Sequence, residues 1–110
     1  YNAVYTWEEG MFAQLSEPRA LAIEECVEDV KKYGKRVIFL GDGVPVHKEY
    51  IVSQMGDMAC FAPLSCNAQR ASSLASLALQ RASEAKPGAG LLPFYLRKPQ
   101  AERELEEKNK

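Results

Sequence analysis

Apolar and polar positions alternate from the first residue. Tyr1, Ala3, Tyr5 and Trp7 fall on one face of an extended segment, with Asn2, Thr6 and Glu8 among the residues on the other, the pattern of a half-buried strand. Gly10 offers a turn, after which Met11 to Leu15 return as a second strand of a hairpin that Glu17-Pro18 ends. The period then lengthens. Ile23, Cys26, Val27 and Val30 form one helical stripe, Glu24 and Glu25 suit the positive N-terminal end of that helix, and Lys31 and Lys32 suit its other end. Gly34 stops it as a left-handed cap.

Residues 36–40 carry the continuous apolar run Val37-Ile38-Phe39-Leu40, which predicts a strand covered on both faces, as in an α/β sheet. Gly41-Asp42-Gly43 is its turn. Pro45 suits the first position of a helix running to about Met55, with Ile51 and Met55 inward and Gly56 as its cap. A short strand around Ala59 to Ala62 precedes Pro63. Between Ala68 and Ala85 the longest helix is expected, because Ala71, Leu74, Ala75, Ala78, Leu79 and Ala82 recur at helical spacing. Its small residues suit close approach to the domain's own sheet, with a dimer seam as the alternative. After the break Lys86-Pro87-Gly88-Ala89-Gly90 comes an extended Pro93-Phe94-Tyr95-Leu96-Arg97 and a charged helix opened by Pro99. Only Ala101 and Leu105 give that helix an apolar side, so it needs a surface to dock on, or it frays. The predicted fold class is α/β, a mixed sheet flanked by helices, with residues 1–98 as the domain and 99–110 as a charged helix or tail.

Composition narrows the function more than the fold. With 46% hydrophobic and 26% charged residues in a chain of 110, a packed core is expected. A formal charge of -1 supplies no field for binding nucleic acid unaided. No apolar stretch approaches the roughly 20 residues a membrane-spanning helix requires, so no membrane partner is expected. Cys26, Cys60 and Cys66 are odd in number and lack CxxC spacing, which favours neither a disulfide framework nor a zinc cage and suits a reducing cytoplasm. The chain opens directly on a strand pattern, without a methionine or a leader, from which an upstream part of the protein is expected to be missing.

Three groups of residues invite chemistry. Gly41, Asp42 and Gly43 lie between a strand and a helix, where α/β proteins often hold phosphate, and they are the candidate cofactor-binding residues. Against that, Val46 stands where a dinucleotide fingerprint needs its third glycine, Asp42 would repel phosphate, and Pro45 removes an amide donor. A turn without a ligand is the expectation, and no cofactor is implied. His47 is the only histidine, so an HExxH zinc site is closed to this chain. Ser65 and Cys66 stand in no GxSxG-type elbow, and neither a catalytic residue nor a metal ligand is assigned. Tyr95, Arg97, Lys98 and Arg103, beside Phe94, are the candidates for contact with a partner or with RNA, since aromatic residues beside cations can stack on bases. Glu102, Glu104, Glu106 and Glu107 lie next to them and largely cancel the field. A salt-bridged surface is therefore expected, with Glu104-Lys108 as an attractive helical pair.

The order of elements, and three segments above all, resemble the second half of the bacterial TsaB (YeaZ-type) family: Glu17-Pro18-Arg19-Ala20-Leu21, Phe39-Leu40-Gly41-Asp42-Gly43, and Pro93-Phe94-Tyr95-Leu96-Arg97-Lys98-Pro99-Gln100-Ala101-Glu102-Arg103. The resemblance covers essentially the whole chain. It implies one lobe of the actin-like ATPase (ribonuclease H-like) fold. It also implies a non-catalytic scaffold in the synthesis of threonylcarbamoyladenosine on tRNA, with a TsaD-type catalytic subunit and a TsaE-type ATPase as partners, a competing homodimer, and tRNA met only through the complex. In that family the partner and homodimer contacts use helices of the N-terminal lobe, which the resemblance places upstream of these residues. Catalytic relatives bind nucleotide near a turn equivalent to Gly41-Asp42-Gly43. Relatives labelled glycoproteases supply the rival expectation, a hydrolase or phosphotransferase fragment whose catalytic groups lie in the other half.

Overall fold

A computed structural model describes residues 1–109. In chain order the elements are β1 (Tyr5–Glu8), β2 (Met11–Gln14), α1 (Ile23–Lys31), β3 (Val37–Phe39), α2 (Val44–Met55), β4 (Ala59–Phe61), α3 (Ala71–Gln80) and α4 (Gln100–Lys108). The chain is α/β. It divides into two compact units, one made of Tyr1–Ala22 with Gly88–Lys110 and the other of Ile23–Pro87.

In the first unit, β1 and β2 form the expected antiparallel hairpin, with Trp7 opposite Phe12 and Glu8 opposite Met11. Two residues make the turn, and both have positive φ, 51° at Glu9 and 78° at Gly10. That pair of signs matches the right-handed twist of the flanking strands, and glycine satisfies it without cost whereas glutamate does not. Below the strands the pairing continues: the Val4 carbonyl accepts from the amides of Leu15 (2.7 Å) and Ser16 (3.2 Å), and the Val4 amide donates to Ser16 Oγ at 2.9 Å. Asn2 and Arg19 exchange two backbone bonds of 2.9 Å each, so the bridge is closed on the far side of Glu17-Pro18. On one face Tyr5 stacks on Phe12 with centroids 4.9 Å apart, and Trp7 meets the same ring edge-on at 5.0 Å. The helix α4 follows Pro99, as the sequence predicts.

In the second unit, β3, α2 and β4 make a strand-helix-strand crossover whose strands are parallel, with Val37 opposite Ala59 and Phe39 opposite Phe61. The helix α1 packs on α2. Among the described residues these two helices supply the buried side chains, Val27, Val30, Ile51 and Met55, all four of which the helical stripes had marked as inward. Pro45 lies in the first turn of α2 and Gly56, at φ 52°, follows its end, its amide returning to the Val52 carbonyl. Gly34 has φ 60° and donates to the Lys31 carbonyl at 3.0 Å, the left-handed cap expected for α1.

Three expectations are corrected. Among the described residues the four strands form two separate two-stranded sheets, one antiparallel and one parallel, in place of a single mixed sheet. The run 37–40 is not covered on both faces: Val37 and Phe39 are half-buried, while Ile38, on the opposite face of a pleated strand, is 66% exposed. The helix α2 lies against this small sheet and covers one side of it, which is why alternate residues part company. Finally, α3 is ten residues long where 68–85 was expected, and none of its residues is buried. Leu74 and Leu79 are 71% and 78% exposed. Arg70, with φ -131° and ψ 115°, is extended and delays its start, and Arg81 breaks its end before a 3-10 turn at Ala82–Glu84. Ala71, Ser72, Ser73, Ala75, Ser76 and Ala78 offer little apolar area to draw the helix onto a surface.

Candidate functional site

The turn between β3 and α2 is where a strand-helix unit can present amides to an anion. Its sequence gives it shape. Gly41 takes φ 123°, a conformation that side chains with a Cβ rarely adopt, and a Cβ there would meet nothing within 4 Å. The need for glycine at this position is therefore one of backbone geometry and not of space. The amide of Gly41 is spent on Asn67 Oδ1 at 3.1 Å, which ties this turn to the loop after β4.

The helix end offers little more. Val44 donates its amide to the Gly41 carbonyl at 3.2 Å, and His47 donates to the Gly43 carbonyl at 3.2 Å. Pro45 has no amide to give. Of the first three helical residues, only Val46 is left to donate, and Asp42, four residues before it in the chain, is exposed. The missing amide at Pro45 and the carboxylate at Asp42 count against a phosphate here. Lys48, one turn further, has its ammonium 5.0 Å from the centroid of the Phe61 ring. Arg36 Nη2 lies 3.1 Å from Cys60 Sγ, and Arg70 Nη1 lies 3.8 Å from Cys66 Sγ. The imidazole of His47 is exposed and enters none of the hydrogen bonds among the described residues. Ser65 and Cys66 fall in the 3-10 turn Leu64–Cys66, where the thiol meets an arginine. Among the described residues no three His, Cys, Asp or Glu side chains stand close enough to hold a metal ion, and no helix is long and apolar enough to cross a membrane.

The second group lies in the other unit. Tyr95 and Arg97 are exposed on the segment that leads to α4. Lys98 is paired with Glu106, so its charge is locally offset. Arg103 is half-buried on α4, with its Nε buried and without a hydrogen-bond partner. It lines one shallow face of the helix with Gln100, Glu104 and Glu107. Gln100 Nε2 donates to Glu104 Oε1 at 2.7 Å, which engages the carboxylate that the sequence paired with Lys108. Taken with Arg97 and Lys98, the residues Arg103 and Lys108 balance Glu102, Glu104, Glu106 and Glu107 in sign.

Three contacts went unread in the sequence. Asn67 reaches Gly41 across 26 residues and Arg36 reaches Cys60 across 24. Arg81 grips Glu84 with both Nε (3.0 Å) and Nη2, which holds that carboxyl below the usual glutamate range. Only this last pair, at spacing i, i+3, belongs to a recognisable local pattern.

Among curated proteins the chain is similar to the tRNA threonylcarbamoyladenosine biosynthesis protein TsaB of Bacillus subtilis (strain 168), with 28% identity over 102 residues. The match takes in 93% of this chain and 44% of the relative, so the chain spans less than half the length of the curated relative it matches. No family model matches the chain. No solved structure matches it either.

Proposed function

We propose that this chain is part of an accessory, non-catalytic subunit in the synthesis of threonylcarbamoyladenosine on tRNA. The observation that carries the reading is the similarity to the Bacillus subtilis protein, which extends over 93% of the chain and is not confined to one motif. In this reading residues 1–98 belong to a lobe of actin-like ATPase fold and 99–110 to a charged C-terminal helix. The protein works in the cytoplasm, where its tRNA substrate is. A TsaD-type subunit supplies the chemistry and a TsaE-type ATPase joins it, and tRNA is reached through that complex.

Two features support a scaffold over an enzyme. The β3–α2 turn has the Gly41 amide bonded to Asn67, a proline in its first helical turn and an aspartate at its centre. The charge of -1, with Lys98 and Arg103 set among glutamates, favours reaching RNA through a partner.

The test is made in cells. Depleting the protein that contains this chain is expected to lower threonylcarbamoyladenosine in digested tRNA, measured by mass spectrometry, and re-supplying it is expected to restore the modification. Unchanged modification after complete depletion would sink the reading.

A further inference from the structure

No further inference is drawn: the strongest candidate, the aromatic face of the β1–β2 hairpin where Tyr5, Trp7 and Phe12 lie against one another in solvent, is an unpartnered apolar face, and nothing in the structure shows what covers it.

Discussion

Replacing Ile51 by alanine strikes the largest fully buried side chain of the second unit. Ile51 is 1% exposed and lies on α2, the helix that packs on α1, where Val27 is 0% exposed. The change deletes three buried carbons, worth about 2.5 kcal/mol at ~0.8 kcal/mol each. A cavity that the two short helices cannot fully close raises the total to about 3 kcal/mol. That is a factor of roughly 150 in the folded-to-unfolded ratio, and a large part of what a domain of this size has to lose. Leu79→Ala is the control: its side chain is no smaller, but at 78% exposed it is expected to cost less than about 0.5 kcal/mol. Urea unfolding followed by far-ultraviolet circular dichroism reads both variants. Trp7 fluorescence cannot substitute, because Trp7 belongs to the other unit. If Leu79→Ala proves as damaging as Ile51→Ala, the placement of the core between α1 and α2 is wrong.

The β3–α2 turn gives two linked predictions: Gly41→Ala should cost about 1–3 kcal/mol from backbone strain at φ 123°, and Asn67→Ala about 1 kcal/mol from the lost bond. Because the two residues share one contact, a double-mutant cycle by denaturation should show non-additivity, and strict additivity would contradict the coupling. Glu9→Asn should stabilise the hairpin by about 0.5–1 kcal/mol, since asparagine tolerates the positive φ of 51° better than glutamate; a lower midpoint in a Trp7-monitored melt would refute this. Glu84 has a depressed folded-state pKa, so the stability it lends is present above the ordinary glutamate value and is lost as pH falls through the lower folded one. Both side chains are exposed, which keeps that contribution small, and Arg81→Gln should return the Glu84 carboxyl toward its ordinary pKa in an NMR titration. No movement on removing the guanidinium would contradict the assigned cause.

Local structure was legible wherever one residue's own chemistry decides it. Gly10 and Gly34 at positive φ, Pro45 in the first turn of α2 and Gly56 after its end stand where the sequence placed them. The stripes Val27–Val30 and Ile51–Met55 were legible because a helix can bury only one face, and these were the residues that repeated on it. What lies opposite a face was not legible. Val37-Ile38-Phe39 reads as a doubly covered strand, yet a parallel pair with a helix on one side buries only alternate residues, and Ile38 is left in solvent. The spacing of Ala71, Leu74, Ala75 and Ala78 announces an apolar helical face, but not whether anything meets it, and in α3 nothing buries it. A turn was expected at Gly41-Asp42-Gly43, and Gly41 takes φ 123° there. The Asn67 contact was not, because a bond between positions 26 apart leaves no periodic trace.

The central claim is tested most directly by reconstitution with purified TsaD-type and TsaE-type proteins, tRNA and a threonylcarbamoyl donor. Threonylcarbamoyladenosine is counted with and without the protein that contains this chain. Modification is expected to depend on adding that protein, while the chain by itself is expected to hydrolyse neither ATP nor peptide. Equal modification in its absence, or turnover by the chain alone, would contradict the account.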